Sequence, residues 1–248
     1  MKNKILGIEV GRLSKNDILE NIKKYLQNPK GFYHIVSINP ENVVIAQKLR
    51  LYKELVNKAQ IRINDGVGVV LASQILGVGS VPRLTGVDLM SKLLIIASER
   101  RMRVAFIGGK GKLAEDLSNC YNQGYSEAKS IGLQGIRNIR KPQSAELKKV
   151  FSIVTAYKPR LLFVAFGSPD QELWLYKNRA LLQGIVCMGV GGGFEFATKG
   201  VKRAPKPIRT MGLEWMFRLF LQPWRAKRQF SRLPYFVWLV VKERFKRN

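Results

Sequence analysis

The feature that most constrains the fold of this chain is a repeated alternation of short apolar runs with helical patterns. The apolar runs lie at residues 33–38, 60–64, 103–109, 160–167 and 184–196. The first four lead through a tight turn into a helical pattern, and the fifth closes the series. Repeated strand–turn–helix units predict an α/β fold, with a Rossmann-like, largely parallel sheet and helices on both of its faces. Continuously apolar strands agree with this prediction, because central parallel strands are buried on both sides.

The pattern changes at about residue 200. Residues 201–248 contain 13 Lys and Arg against two Glu, a net charge of +11, together with four Pro and nine aromatic residues. The strand–helix alternation does not continue in this segment. We therefore predict two parts: an α/β core over residues 1–200, and a basic, aromatic-rich helical segment over residues 201–248, here named the C-terminal appendage.

The residues alone leave three interpretations of the C-terminal appendage open. It is a solvated helical hairpin packed on the core, a helix lying in a membrane interface, or an arm that binds nucleic acid. Its apolar stretch "YFVWLVV" at 235–241 has only seven residues, and a helix that spans a bilayer needs about 20. Aromatic residues interleaved with arginines suit a lipid headgroup boundary better than solvent, so we predict that the appendage lies on a membrane.

The whole chain is strongly basic. Its 248 residues contain 43 Lys and Arg against 17 Asp and Glu, a formal net charge of +26 at pH 7. Such a protein attracts anions: nucleic acid, an acidic membrane surface or a phosphorylated substrate. Cys120 and Cys187 have no metal-binding or redox spacing, which favours a reducing cytoplasm and a buried thiol at Cys187. We also expect no signal peptide and no helix that spans a bilayer unaided.

Polar residues follow several of the predicted strands, at the sheet edge where α/β proteins bind ligands. Asn39 and Pro40 follow the first strand, and Ser168, Pro169 and Gln171 follow the fourth. Asn39 and Ser168 suit the N-cap position and proline suits the first helical position, so both groups are typical of capped helices. Asn39 and Gln171 would also present polar groups at this edge. For both residues the sequence leaves capping and ligand binding open.

Asp65 is the acidic residue that follows a predicted strand most closely. It precedes Gly66, and an Asp-Gly pair is often only a turn. The single histidine, His34, lies inside a strand and is expected to pack in the core, so acid–base chemistry near neutral pH would fall to a carboxylate. Because Asp65 has no evident helix to cap, we predict that it acts as the base.

Two glycine-rich turns and one arginine are further candidates for phosphate binding. The turns, at 107–112 and 189–196, each follow a strand and are either tight packing turns or phosphate-binding loops. Arg83 lies in a loop before a helix that Thr85 is expected to cap. It is either a solvated surface residue or a cation that stabilises a diphosphate leaving group.

No metal requirement is expected. Asp170 and Glu172 superficially resemble the Asp-x-Asp pattern that holds a divalent metal in many sugar-nucleotide enzymes. Residues two apart on a helix point in different directions, which argues against a shared metal. The sequence has no His/Cys cluster elsewhere.

Taken together, these residues resemble the WecG/TagA/CpsF family of bacterial glycosyltransferases. The resemblance covers nearly the whole chain and consists of several independent motifs in the family's order. The motifs are "SINPENV" at 37–43, "RINDGVGVV" at 62–70, "VPRLTGVDL" at 81–89, "FIGG" at 106–109, "AFGSPDQELW" at 165–174, "GVGGGFEF" at 189–196 and "KRAPKPIRTMGLEWMFRLFLQPWR" at 202–225.

The resemblance implies an inverting glycosyltransferase that needs no cofactor. Members of this family transfer a sugar, commonly N-acetylmannosamine or its uronic acid, from a UDP donor to a polyprenyl-diphosphate-linked N-acetylglucosamine. Their products feed wall teichoic acid, enterobacterial common antigen or capsule. The resemblance also implies a bacterial cytoplasmic enzyme that is peripheral on the inner face of the cytoplasmic membrane. Its partners would be the UDP-sugar, the lipid-linked acceptor and the anionic membrane surface.

The resemblance also implies roles for individual residues. Asp65 matches the proposed base that deprotonates the acceptor hydroxyl. Arg83 and Gln171 match active-site residues near the diphosphate. Ser37, where the family often has Thr, matches the pocket wall together with Asn39. The remaining matches are Glu195, which stands where the family usually has Asp, for holding the nucleoside, and Arg218, Arg225 and Arg228, for folding over the site at the membrane.

Two competing functions are a basic nucleic-acid-binding protein and a polyprenyl-lipid carrier without activity. The first uses the charge but leaves the polar residues at the strand ends unexplained. The sequence has no RRM, KH or helix-turn-helix pattern, and we expect no nucleic-acid partner. A homo-oligomer is compatible with apolar core surface beneath a detachable appendage.

Overall fold

A computed structural model of the chain describes residues 3–198, 200, 202–223 and 226–247. Its strands are β1 (Lys4–Ile5), β2 (Ile8–Glu9), β3 (Tyr33–Ile38), β4 (Ile61–Asn64), β5 (Arg103–Gly108), β6 (Lys129–Leu133), β7 (Leu161–Ala165) and β8 (Val186–Gly189). Its α-helices are α1 (Lys15–Gln27), α2 (Pro40–Lys48), α3 (Arg50–Lys58), α4 (Val67–Ile75), α5 (Gly86–Glu99), α6 (Leu113–Gly124), α7 (Ser144–Tyr157), α8 (Asp170–Lys177), α9 (Gly193–Ala197), α10 (Lys206–Thr210), α11 (Glu214–Leu221) and α12 (Ala226–Arg247). A 3-10 helix covers Arg179–Leu182.

Six strands form one parallel sheet in the order β4-β3-β8-β7-β5-β6. β1 and β2 form a separate antiparallel pair. The predicted α/β fold is confirmed, and each of the five apolar runs contains one of the sheet strands. Sequence reasoning missed β6 and the β1–β2 pair. β6 lies at the sheet edge, and most of its residues are only partly buried, so it lacks the continuous apolar pattern of a central strand.

Helices cover both faces of the sheet, as the alternating side chains of its strands show. In β3, Ile35 packs in an apolar cluster with residues of α1 and α5, and Val36 packs in another with residues of α2, α3 and α4. In β5, the neighbours Phe106 and Ile107 likewise enter different clusters. His34 is 1% exposed, which confirms that it is a core residue. Two-sided burial of this kind is what the continuous apolar runs predicted.

Two of the three predicted helix caps are confirmed. The Asn39 side chain accepts a hydrogen bond from the Asn42 backbone N–H at 2.9 Å, with Pro40 as the first residue of α2. The Thr85 side chain accepts one from the Asp88 N–H at 3.2 Å and begins α5. The prediction that Ser168 caps the next helix is wrong, because α8 begins at Asp170 and Pro169 occupies its N-cap position.

The C-terminal appendage is helical, and its longest helix, α12, lies mainly against α2. Phe236 and Val240 of α12 are each 3% exposed and belong to the same apolar cluster as Val36 and Val69 of the core. α12 therefore covers part of one sheet layer and removes apolar surface from water. The division of the chain at residue 200 into two units stays a prediction. In the part of the chain that the structure describes, every helix is too short or too polar to cross a bilayer.

Candidate active site

A large cleft lies beyond the carboxyl ends of four adjacent strands, β4, β3, β8 and β7. Its volume is about 550 Å³, within the range of small-molecule sites. Each of the four strands contributes lining residues at or just after its end: Ser37 and Asn39 for β3, Asp65 for β4, Gln171 for β7 and residues 189–193 for β8. The structure thus brings together the predicted strand-end residues at the edge where α/β proteins bind ligands.

The end of β4 is fixed by the buried amide of Asn64, which sequence reasoning missed. Its Nδ2 group donates to the carbonyls of Gly11, at 2.7 Å, and Pro82, at 2.9 Å. The backbone N–H of Leu84 donates to the Asn64 carbonyl at 3.1 Å. These bonds hold the segment that carries Arg83 beside the strand that ends at Asp65. No local sequence pattern indicates this contact, because the partners of Asn64 lie about 20 and 50 residues away along the chain.

Asp65 holds the N-terminus of a helix that is remote in sequence. Its Oδ2 accepts a hydrogen bond from the backbone N–H of Gly86, the first residue of α5, at 2.9 Å. The expectation that Asp65 has no helix to cap is therefore wrong. The carboxylate lies where unpaired backbone N–H groups and the helix dipole favour negative charge.

Several charges compete to set the pKa of Asp65. Burial disfavours the ionised form and raises the pKa to about 7, and the nearby Glu214 carboxylate acts in the same direction. The Gly86 hydrogen bond and the Arg83 and Arg218 guanidinium groups lower the pKa but do not offset burial. Asp65 lies deep in the protein, yet part of the residue stays open to the cleft. A carboxylate with this pKa exchanges a proton readily near neutral pH.

Gln171 lines the cleft but uses its amide to tie two loops together. Its Oε1 accepts hydrogen bonds from the backbone N–H groups of Gly167 and Gly191, both at 3.1 Å. Its Nε2 donates to Glu172 Oε1 at 2.8 Å and to Ser168 Oγ at 3.3 Å. The side chain therefore joins the loops after β7 and β8.

The environment of Gln171 constrains its neighbours. A Cβ atom at Gly189 would come within 2.6 Å of Gln171 Nε2, so the close approach of β8 requires glycine. The buried Glu172, whose pKa is raised by burial, orients the amide by accepting from both Gln171 and Ser168. Sequence reasoning considered Glu172 as an acidic residue near a strand end and as a doubtful metal ligand, and it missed this role.

Arg83 and Arg218 are cationic residues of the cleft lining. Arg83 is held by a bond from its Nη1 to the Arg209 carbonyl at 2.8 Å. The Arg218 guanidinium lies 4.3 Å from the centre of the Phe196 ring, and its Nη2 is 3.8 Å from Glu195 Oε2. Glu195 Oε2 also accepts from Gln222 Nε2 at 3.0 Å, so this carboxylate faces the C-terminal appendage.

The two glycine-rich turns are placed differently. Residues 189–193 line the cleft, and a Cβ atom at Gly192 would lie 2.6 Å from Arg218 Nη2, so a side chain there would displace the Arg218 guanidinium. The turn at 107–112 follows β5, one strand beyond the four that form the cleft, and it contributes no lining residue. The turn at 107–112 is therefore a packing turn with respect to this cleft.

A smaller cavity of about 220 Å³ adjoins the cleft, and Arg83, Thr85 and Glu214 line both spaces. Its complete lining consists of Arg83, Thr85, Asp88, Lys206, Arg209, Thr210 and Glu214. The carboxylates of Asp88 and Glu214 are each paired with Arg203, at 2.7 and 3.0 Å. The lining cations therefore leave a positive excess that suits an anionic group.

That the protein requires no metal stays a prediction. Asp170 Oδ2 pairs with Arg140 Nε at 3.0 Å on the surface, whereas Glu172 is buried, so the two carboxylates do point in different directions. Within the ranges that the structure describes, no three His, Cys, Asp or Glu side chains cluster as a metal site would need. Arg225 and the side chain of Arg228 lie outside the described part of the chain, and their predicted roles also stay predictions.

The fold and the cleft define a class of protein. A parallel sheet with a reactive carboxylate, cationic side chains and a glycine-rich turn at one edge is typical of an α/β enzyme that acts on an anionic substrate. The chain belongs to the glycosyl transferase WecG/TagA/CpsF family, whose model matches residues 3–248. The predicted family is confirmed, and the chain is a glycosyltransferase.

Curated relatives agree with this assignment. The chain is 30% identical over 243 residues to the N-acetylglucosaminyldiphosphoundecaprenol N-acetyl-beta-D-mannosaminyltransferase of Staphylococcus aureus strain MW2. The enzyme of the same name from strain MRSA252 is also 30% identical over 243 residues. Each match covers 98% of this chain and 93% of the relative. The enzyme class is therefore favoured over the nucleic-acid-binding and inactive-carrier alternatives.

Proposed function

We propose that this enzyme transfers N-acetylmannosamine, or a closely related sugar, from a UDP donor to N-acetylglucosamine carried on a polyprenyl diphosphate. The names of the S. aureus relatives support the transferred sugar and the lipid-linked acceptor. The strongly basic chain supports anionic substrates, since donor and acceptor both carry a diphosphate. Cell-surface polysaccharide or teichoic acid synthesis is the pathway class that such a product would feed.

The observation that carries this proposal is a partly buried Asp65 in the same cleft as two arginines. In the proposed step the Asp65 carboxylate takes the proton of the acceptor hydroxyl. The hydroxyl oxygen attacks the anomeric carbon of the donor from the face opposite the diphosphate. The bond from that carbon to the diphosphate oxygen breaks, its electron pair leaves with UDP, and the configuration inverts.

In this proposal the arginines stabilise the negative charge that develops on the leaving group. Arg83 and Arg218 reach the cleft from the core and from the appendage, respectively. Their guanidinium groups stabilise an oxyanion through charge-assisted hydrogen bonds. Lys206 and Arg209 in the adjoining cavity add positive potential for the second phosphate-bearing substrate.

The other predicted residues take supporting roles in this proposal. Ser37 and Asn39 form a polar wall, and Asn39 retains its Nδ2 donor for a ligand because its Oδ1 caps α2. Gln171 shapes the loops after β7 and β8, so we assign it a positioning role in place of direct phosphate contact. Glu195 pairs with Arg218 and accepts a hydrogen bond from Gln222, so we assign it a role in positioning Arg218, and its contact with the nucleoside stays a prediction.

The proposed place of action is the inner face of the bacterial cytoplasmic membrane, where the lipid-linked acceptor is presented. Exposed Phe220 and Phe230 on the appendage support contact with the headgroup region, and the local excess of Lys and Arg supports an anionic leaflet.

The test is an assay of UDP release from a panel of UDP-sugars, with a short-chain prenyl-diphosphate-GlcNAc as acceptor. We expect acceptor-dependent release of UDP from UDP-N-acetylmannosamine, together with a product whose mass exceeds that of the acceptor by one sugar residue. UDP release that does not depend on acceptor would indicate hydrolysis and contradict the transfer. A lack of acceptor-dependent turnover with every UDP-sugar of the panel would contradict the donor assignment.

A further inference from the structure

The cleft that contains Asp65 continues into an apolar groove between two helices. Leu71 and Ile75 of α4 line one side of it, and Leu233, Val237 and Val241 of α12 line the other. These five side chains are named the α4–α12 groove below. Groove and catalytic residues belong to one cavity, so a molecule at the reactive carboxylate can extend between the helices without leaving the site.

The apolar residues that α12 contributes to the groove lie on one face of that helix. Leu233, Val237 and Val241 are spaced four apart, which places them along one face of the helix. Phe236 and Val240, on the adjoining face, are buried in the core cluster. The buried pair fixes the rotation of α12 about its axis, so the groove-facing stripe is held in place by the core.

Apolar side chains that two closely packed helices would normally bury are exposed in the groove. Leu71 is 52% exposed and Ile75 is 50% exposed, one helical turn apart on α4. Facing them, Val237 is 53% exposed and Val241 is 44% exposed. α12 packs mainly on α2 and touches α4 much less, which leaves these side chains apart. A continuous apolar strip of this kind beside a reaction site marks a place where an apolar ligand binds.

We propose that the α4–α12 groove binds the isoprenoid chain of the lipid acceptor. This inference rests on the proposed function and adds the subsite for the part of the acceptor that does not react. The acceptor has three segments of distinct chemistry: a sugar, a diphosphate and a long apolar chain. The cavity offers a carboxylate, arginines and then apolar side chains, and burial of the chain in the groove removes its methylene groups from water.

Chain-length selectivity tests the groove. The Leu71→Gln/Val237→Gln double variant changes two half-exposed side chains and keeps their approximate size. Turnover is measured in detergent with two GlcNAc-diphosphate acceptors, one carrying a full-length polyprenyl chain and one a short, water-soluble alkyl chain. We expect the ratio of kcat/KM for the long acceptor to that for the short one to fall by about tenfold, equivalent to about 1.4 kcal/mol. The Ile75→Gln/Val241→Gln pair should give the same result, and it replaces the first pair if that variant does not fold.

The matched control is Phe245→Gln, which alters a 76% exposed apolar residue of the same helix outside the cavity lining. It should leave the ratio at its wild-type value. An equal fall in the control would show a general detergent or membrane effect and overturn the proposal. A wild-type enzyme that does not prefer the long acceptor would also overturn it, while transfer itself would stand.

Other occupants of the groove give different outcomes. If the double variant changes the oligomeric state measured by light scattering and leaves the ratio unchanged, a second copy of the chain occupies the groove and the proposal is overturned. If neither acceptor is glycosylated with any UDP-sugar, the proposed function fails, and the assignment of the groove fails with it.

Discussion

The α/β core and the C-terminal appendage differ in how far their apolar side chains are buried. The central strands of the core are almost entirely buried, with every residue of β3 inside the protein. The appendage displays its apolar residues: of the 18 large apolar side chains that are exposed in the described part of the chain, 11 lie after residue 200. The core buries its apolar residues against one another and against Phe236 and Val240 of α12, whereas the rest of the appendage presents an apolar surface that fits a lipid environment.

The two regions meet at the cleft, and neither forms it alone. The core contributes the strand-end residues with Asp65 and Arg83, and the appendage contributes Glu214, Trp215 and Arg218. The pKa of Asp65 depends on charges from both sides. The composition change at residue 200 therefore marks a change in burial, and residues from both sides of it line the cleft.

The largest expected effect concerns the core side of this comparison. Asp65→Asn should lower kcat/KM by about 10²–10⁴-fold, because the amide cannot accept the proton of the acceptor hydroxyl. The Gly86 N–H keeps an oxygen partner in this variant, so the fold should persist. Asp170→Asn, which alters a surface carboxylate paired with Arg140, is the control and should retain near-normal turnover in the UDP-release assay. Substantial activity of Asp65→Asn would show that Asp65 is not the base.

The second prediction asks whether the appendage is part of the folded unit. Phe236→Ala should lower the free energy of unfolding by about 3–5 kcal/mol, because it leaves a cavity in the cluster shared with the core. Phe245→Ala, on the same helix but 76% exposed, should change it by less than about 0.5 kcal/mol. Urea unfolding followed by circular dichroism measures both. Equal small effects would show that α12 is not integrated with the core.

The third prediction follows from the pKa of Asp65, which joins the two regions electrostatically. A base must be ionised to act, so kcat/KM should rise about tenfold per pH unit below pH 7 and level off above it. The residual activity of Asp65→Asn should lack this rise. A wild-type profile that is flat between pH 5 and 7 would contradict the assignment.

The same titration affects stability with the opposite sign. Because the folded-state pKa is raised, the folded protein holds the Asp65 proton more tightly, and this contribution is lost as pH rises towards 7. At pH 8 Asp65→Asn should therefore be more stable than wild type by about 1–3 kcal/mol, a value reduced by the partial access of water. A thermal melt at pH 8 that shows no increase in the stability of Asp65→Asn over wild type would indicate that burial of the ionised carboxylate does not destabilise the fold.

The smallest expected effect tests the appendage surface. Phe220→Ser and Phe230→Ser, which replace side chains that are 79% and 70% exposed, should each weaken binding to anionic vesicles by about three- to tenfold. Leu51→Ser, a 56% exposed residue on the core helix α3, is the control and should not affect vesicle flotation. Equal losses of vesicle binding for all three variants would show that the appendage surface does not bind the membrane more strongly than the core surface.

The central fold was predictable because its strands are continuous apolar runs, a local signal that needs no knowledge of partners. β3 was predicted with its observed bounds, and Asn39 was predicted as a cap from its position before Pro40. β6 escaped because edge strands are only half buried. Ser168 was misplaced as a cap because its hydroxyl binds Glu172, at 2.9 Å, instead of a backbone N–H.

The candidate site was predictable only as a set of strand ends. Their membership in one cleft follows from the parallel sheet, since the carboxyl ends of neighbouring strands meet at one edge. The bond from Asp65 to Gly86 and the use of Gln171 as a tie between loops depend on long-range packing, which no local pattern encodes. The α4–α12 groove likewise requires two helices that are more than 150 residues apart in sequence.

The bond from Arg83 to the Arg209 carbonyl has a consequence for experimental design. Deleting residues 201–248 would remove that carbonyl and, with Arg203, the cation that pairs with Asp88. A shortened enzyme would thus lose the alignment of the Arg83 guanidinium together with the exposed apolar surface of the appendage, and its inactivity would not show which loss was responsible. Point substitutions on the outer surface of the appendage test the proposed membrane contact without disturbing the Arg83 and Asp88 contacts, and deletions do not.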